Sequence, residues 1–166
     1  MSTNTLPTRS PSSQEKEIID EVLSLYQCKP SEKSYSHYAE TAVFHDPVSI
    51  AKGKSSIMSQ FNGMPKIFER SDTQKCDVLD DKTAPNDLKL DLTQHYVFKA
   101  GKKEKTLNSK ITLKLNNGMI EHHEEEWDHK PNTDGDDGFF GHLNEYRKKL
   151  SAKVIEKTVT SDPSKV

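Results

Sequence analysis

The sequence predicts an α+β domain in which helices pack on one face of a curved antiparallel sheet. Three observations carry that expectation. Between residues 14 and 61 the apolar positions recur mostly at helical spacing, interrupted by one short strand that ends at Asp46-Pro47. From residue 74 to 129 the chain reads as strands, alternating apolar and polar modestly over 74–81 and well over 87–100. Asn117-Gly118 joins the last two of those runs as a two-residue hairpin turn, a place where both residues need positive φ. Helices segregated from a meander of strands make the α+β layout.

Each element follows in order. Residues 1–13 are rich in Ser, Thr and Pro and are expected to be a disordered tail, because they bury too little to offset ordering entropy. Ile18, Val22, Leu25 and Tyr26 mark the first helix. Ser13 reads as its N-cap, with Lys16 where a capping-box Glu would stand, so the cap is half built. Pro30-Ser31 opens a second helix carrying Tyr35 and Tyr38. Residues 42–46 form a strand with Phe44 and Asp46 on one face and Val43 and His45 on the other, and Pro47 ends it. Gly53 opens a third helix with Ile57, Met58 and Phe61 inward, which Gly63 and Pro65 stop or kink. Strands follow at 74–81, at 87–100 (Leu88, Leu90, Leu92, Tyr96 and Phe98 inward), at 105–115 (Leu107, Ser109, Ile111, Leu113, Leu115) and at 119–129. The domain thus spans 14–129. An acidic loop at 130–140, an amphipathic helix at 141–157 and a disordered tail at 158–166 complete the chain.

Composition narrows the function classes. At 166 residues one domain is expected, with 31% apolar and 30% charged residues, an apolar share lowered in part by the ends. A net charge of -2 gives no basic footprint, so no nucleic-acid partner is expected. No apolar run approaches the ~20 residues of a membrane span, so no membrane partner is expected either. Cys28 and Cys76 are too few for a disulfide framework, and the first residues lack the apolar segment of a signal peptide. The expected location is cytoplasmic, with the nucleus open by diffusion.

The stretch HYAETAVFHDPVSIAKGKSSIMSQF, with Tyr38-Ala39, Ala42, Asp46-Pro47, Gly53, Ile57 and Phe61, resembles the nuclear transport factor 2-like superfamily. Within it the nearest likeness is to the SnoaL-like polyketide cyclase and ketosteroid isomerase branch. Gly118-Met119-Ile120 followed by Trp127 resembles that branch's closing strand. The resemblance covers about residues 14 to 129. It implies a cone: a strongly bent sheet wrapped around helices, with an open pocket and a homodimer through the sheet. The superfamily hosts isomerases, dehydratases, cyclases and non-catalytic binders, so the fold names no reaction.

Residue by residue, the resemblance makes Asp46 the candidate general base, a carboxylate that desolvation would raise toward a useful pKa. The residues themselves also allow Asp46 to cap the turn by accepting backbone N–H groups after Pro47. Tyr26 matches the first-helix tyrosine that such isomerases aim at an oxyanion, but reads more readily as a core tyrosine with its hydroxyl at the pocket rim. The protonated acid expected on the penultimate strand falls near Ile111, between Lys110 and Thr112, so steroid-isomerase chemistry is not expected. In the last strand His123, Glu125 and Trp127 share a face and could line a polar pocket mouth, Trp127 as an aromatic wall. The acids of this strand, Glu125 included, read more readily as solvated groups paired with Lys110 and Lys114. A bulge is expected to shift the phase of that strand partway. Phe44, Phe61 and Phe98 are the expected apolar lining.

Metals find little support. Adjacent histidines such as His122-His123 point to opposite faces of a strand, and no three converging ligands are spaced for zinc. The loop DGDDG lacks a calcium-loop pattern, and Gly53-Lys54-Ser55 lacks the rest of a P-loop. No metal or cofactor is expected. His95, on the Lys89/Asp91/Thr93 face, is expected to be exposed or at a subunit interface. Two functional classes remain: a pocket protein for a small apolar molecule, with or without proton-transfer catalysis, and a dimeric protein-interaction scaffold. A cone lined by apolar groups around a buried carboxylate favours the first. A cone filled by its own side chains behind an exposed apolar sheet face favours the second.

Overall fold

In chain order the elements are β1 (Thr8–Arg9), α1 (Ser13–Tyr26), α2 (Glu32–Tyr35), β2 (Tyr38–Asp46), β3 (Ser49–Lys52), α3 (Lys54–Ile67), β4 (Phe68–Leu79), β5 (Asp87–Phe98), β6 (Glu104–Asn116) and β7 (Met119–Trp127). The structure is a computed structural model and describes residues 6–47 and 49–128. The expected acidic loop 130–140, helix 141–157 and tail 158–166 lie outside the described residues, as do residues 1–5 of the expected N-terminal tail.

Helix α1 starts one residue earlier than the sequence suggests, because Ser12 rather than Ser13 is the cap. Ser12 Oγ accepts the Glu15 N–H at 3.1 Å, and the Glu15 carboxylate accepts the Ser12 N–H at 2.9 Å. The capping box is therefore complete, with Glu15 in the place where the shifted reading put Lys16. Its inner stripe is Ile18, Ile19, Val22, Leu25 and Tyr26. Residues 8–9, expected in a disordered tail, instead pair with the end of β4 (Thr8 with Leu79, Arg9 with Val78). A bidentate Arg9–Glu15 ion pair at 2.9 and 2.7 Å and the Asp80 N–H on the Pro7 carbonyl at 2.7 Å hold them there. An edge ladder and a charge fork supply the anchoring that this Ser/Pro-rich segment lacks in apolar surface.

Helix α2 ends at Tyr35, and Tyr38 opens strand β2 rather than lying in the helix. Ala42, Phe44 and Asp46 are buried on one face of β2 as the alternation predicts. The chain then turns back as β3, a hairpin the sequence reading did not foresee (Phe44 with Ala51, Asp46 with Ser49). Gly53 takes φ 91 to enter α3, a left-handed value that a side chain would strain. Helix α3 runs through Gly63 and Pro65 to Ile67. Pro65 sits in the last turn, so it forfeits one bond, to the Phe61 carbonyl, and the helix goes on. Strand β4 begins at Phe68, six residues before the expected start, because its first half is charged and exposed (Glu69, Arg70, Asp72) and shows no period-two signal.

The described strands form one sheet in the order β1-β4-β5-β6-β7-β2-β3. Strands β4 to β7 are the antiparallel meander, closed by Asn117 (φ 53) and Gly118 (φ 77) as the turn chemistry predicts. Strand β2 pairs with β7 in parallel. A register shift at Lys114/Leu115 changes the phase of β7, so that Ile120 and then His123, Glu125 and Trp127 are buried. On the concave face Leu88, Leu90, Leu92, Ile111 and Leu113 meet Ile18, Val22, Leu25, Ile57 and Phe61 in one core. Each such side chain contributes about 1.5–3 kcal/mol when fully buried. The outward face is polar, with Lys75–Asp91 at 3.1 Å and Lys110–Glu126 at 3.2 Å across neighbouring strands. His95 lies on this face, its ring nitrogens each 2.8 Å from Thr106 and Glu104.

Candidate functional site

The curved sheet brings the end of α1 against three strands at once. The Tyr26 carbonyl accepts from Ser71 Oγ on β4 at 2.6 Å and from Gln94 Nε2 on β5 at 3.4 Å. Its hydroxyl reaches across to β7, 3.0 Å from His123 Nε2 and 2.9 Å from Glu125 Oε1. The other ring nitrogen of His123, Nδ1, lies 2.8 Å from the Tyr38 hydroxyl on β2. Glu125 Oε2 accepts from Ser109 Oγ at 3.0 Å and from the Trp127 indole N–H at 2.8 Å. The network therefore links α1, β2, β6 and β7.

Counting hydrogens assigns a direction to it. A hydroxyl has one proton to give, and Tyr26 gives its proton to Glu125. His123 Nε2 must then carry a proton and donate to Tyr26, which leaves Nδ1 bare to accept from Tyr38. The chain reads Tyr38 to His123 to Tyr26 to Glu125, ending on a carboxylate that receives Tyr26, Ser109 and Trp127. Reversing it would need a proton on Glu125, the carboxylate that already accepts from Ser109 and Trp127. Burial holds His123 neutral, with its pKa lowered to about 3, and the neighbouring His122 adds to the shift. Burial first, and then the Glu125 charge, push the Tyr26 hydroxyl well above its usual value.

Aromatic rings wall this chain. Phe44 meets the His123 ring edge-on at 4.8 Å, Phe61 stacks on it at 6.0 Å, and Phe44 and Phe61 touch at 5.3 Å. Tyr26, Phe44, Phe61, His123 and Trp127, all expected at the site, are thus brought together. Each is buried, His123 wholly so at 0% exposure. Phe98 packs on Phe68 at 4.9 Å, six residues along β5 from Leu92, whose neighbour across the sheet, Ser109, pairs with Trp127. Six residues along a strand span about 20 Å before curvature.

Asp46 sits two residues beyond Phe44 on the same face and is 2% exposed. Its Oδ1 accepts the Ser49 N–H at 2.8 Å and the Ser49 hydroxyl at 3.0 Å, the geometry of a carboxylate capping the β2–β3 turn. Sequence reasoning gave less weight to Glu125 and missed Tyr38 and Ser109. The available signal was the shared face of His123, Glu125 and Trp127. Tyr38 was obscured by its assignment to a helix.

Other features lie apart from this cluster. Among the described residues, one groove of about 600 Å³ runs between the α1–α2 loop (Gln27, Lys29) and Phe68, Arg70 and Lys99. Another, of about 550 Å³, lies under β1. Burial raises the Cys28 thiol to about 12 and the Cys76 thiol to about 11, so neither is a ready nucleophile. Among the described residues no three His, Cys, Asp or Glu side chains are placed to hold a metal ion, and no helix is long and apolar enough to cross a membrane.

No family model and no curated protein matches the chain. Solved structures do. A nuclear transport factor 2-like protein from Anabaena variabilis superposes with a TM-score of 0.61 at 11% identity, covering 73% of this chain and 95% of the other. TerC, crystallised with polyporic acid, gives 0.56 at 13% identity over 78% of this chain and 98% of its own. A de novo designed protein with a curved β-sheet also gives 0.56 at 13% identity, over 84% and 99%. The chain therefore has the nuclear transport factor 2-like fold, a few helices packed on a curved, unclosed sheet. That a designed chain shares this architecture underlines that the fold implies no reaction.

Proposed function

We propose that the protein binds a small, largely apolar molecule inside the cone, and that the Tyr38–His123–Tyr26–Glu125 chain supplies the polar contact. One observation carries the reading: a directed chain of ionisable groups inside aromatic walls. Burying a histidine and a carboxyl is costly compared with apolar side chains of similar size, so a core built only for stability has no need of them. Perturbed ionisable groups gathered in the cone mark a candidate binding site. A ligand hydroxyl would donate to the remaining lone pair of the Tyr26 oxygen, and Phe44, Phe61 and Trp127 would take its apolar body. TerC, which shares the fold, was crystallised with an organic acid, which is in keeping with this use of a cone.

Catalysis is the narrower form of the reading, with Asp46 as general base for isomerisation, cyclisation or dehydration. The turn-capping bonds of Asp46 favour a second reading, a non-catalytic scaffold, as do the close packing and satisfied hydrogen bonds around His123. Assembly into a homodimer through the sheet is part of either reading. Its interface would have to match the Lys75, Asp91, Lys110 and Glu126 charges of the outward face.

A thermal-shift screen of metabolites separates the two. The binding reading expects hits that raise Tm in the wild type and lose at least half of that shift in Tyr26→Phe, because a ligand bound to the native state stabilises it. No stabilising hit across a broad apolar set favours the scaffold. For catalysis, Asp46→Asn must abolish turnover of a hit while the fold persists; unchanged turnover removes Asp46 as base.

A further inference from the structure

We propose that Ser10 is a phosphorylation site and that its modification releases the N-terminal strap β1 from the sheet. Ser10-Pro11 is the one Ser/Thr-Pro dipeptide of the sequence. It stands exposed between β1 and the Ser12 cap of α1, so a proline-directed serine/threonine kinase can reach it. Kinases take their substrates as extended segments, and this strap lies at the edge of the sheet, where two ladder residues, the Pro7–Asp80 bond and the Arg9–Glu15 fork help to hold it. Short edges of this kind open locally far below the free energy of global unfolding.

The chemistry is ordinary phosphoryl transfer from ATP. The Ser10 oxygen bonds to the γ-phosphorus, the bond from that phosphorus to the ADP oxygen breaks, and the hydroxyl proton passes to the kinase's base. The product carries about -1.5 to -2 charge one residue from Arg9. Arg9 Nη1 already lies 3.2 Å from the Ser10 carbonyl. Glu15 has only a single negative charge with which to compete for that guanidinium, and it also closes the α1 capping box. The phosphate therefore takes Arg9 from Glu15, the two anions repel, and the fork that pins β1 is lost. Under the strap lies the groove of about 550 Å³ with Ile19, Leu23, Cys76 and Val78 among its lining. Phosphorylation would thus uncover a trough at the edge of β4 in which these apolar side chains stand beside Lys16, Asp20 and Asp77.

The test uses the full chain, a proline-directed kinase and ATP. Fragment mass mapping is expected to place one phosphate on Ser10, absent in Ser10→Ala. Amide exchange of the peptide covering residues 78–80 is then expected to quicken at least fivefold. Unphosphorylated Glu15→Gln, which breaks the fork and retains a capping-box side chain, is expected to reproduce most of that increase. Failure of Ser10 to take phosphate overturns the proposal. So does a phosphorylated chain whose residues 78–80 exchange no faster than before. A null ligand screen leaves this result untouched, since the strap and the cone network share no residue.

Discussion

His123 shows how much one position can carry. It is wholly buried, neutral, and donates and accepts at once between two tyrosines. Its folded pKa, about 3, lies below the unfolded value of about 6.5. The native state therefore binds fewer protons than the unfolded chain as pH falls. The stability His123 confers is present above pH 6.5 and drains away as pH drops from there toward 3. At pH 5 the loss is about 2 kcal/mol. Denaturant unfolding at pH 7.5 and pH 5 should show that loss in the wild type and little of it in His123→Gln. Glu125 makes the complementary case. Its carboxylate accepts from Tyr26, Ser109 and Trp127, and an amide would turn an N–H toward one of those donors. Glu125→Gln should destabilise by about 2–3 kcal/mol in denaturant unfolding. A cost under 0.5 kcal/mol would show that the three donors find other partners.

At the scale of elements, legibility followed burial. Strands β5 and β6 were read correctly because each buries one face, leaving a strict alternation from Leu88 to Leu92 and from Leu107 to Leu113. Strand β4 was cut short because, among the described residues, β1 pairs only with Val78 and Leu79 of its outer edge, and its exposed residues are mostly charged, as edge strands tend to be. Strand β3 was missed since four residues with one buried side chain leave no period to detect. The site was legible on one side only. The shared face of His123, Glu125 and Trp127 on β7 was visible, yet nothing local shows that Glu125 faces three donors, since these come from α1, β6 and β7 and meet only through sheet curvature. The α1 cap tests the local account directly. Ser12→Ala removes the acceptor for the Glu15 N–H and should cost about 1 kcal/mol, whereas Ser13→Ala should fall within ~0.5 kcal/mol. Melting the two variants side by side decides which serine is the cap.

For the whole molecule, the question is whether helices and sheet are one cooperative body. Tyr26 ties α1 to β4, β5 and β7, Phe61 brings α3 against the same network, and nearly all the buried apolar residues described form one cluster. A single core spanning both layers should open as a unit, because no helix can leave without exposing the concave face of the sheet. Amides at Leu90, Leu92 and Ile111, all at 0–1% exposure, should then exchange only through global unfolding. Their exchange free energy should equal the unfolding free energy read from Trp127, the one tryptophan of the chain and a member of that core. Amides of β1 and β3, at the two edges of the sheet, should exchange by smaller openings. If the Leu90 and Ile111 amides exchange several kcal/mol below the Trp127 value, the sheet opens without the helices. The Tyr26 ties would then be too weak to couple the two layers, and the cone would be a hinged shell able to admit a ligand without unfolding.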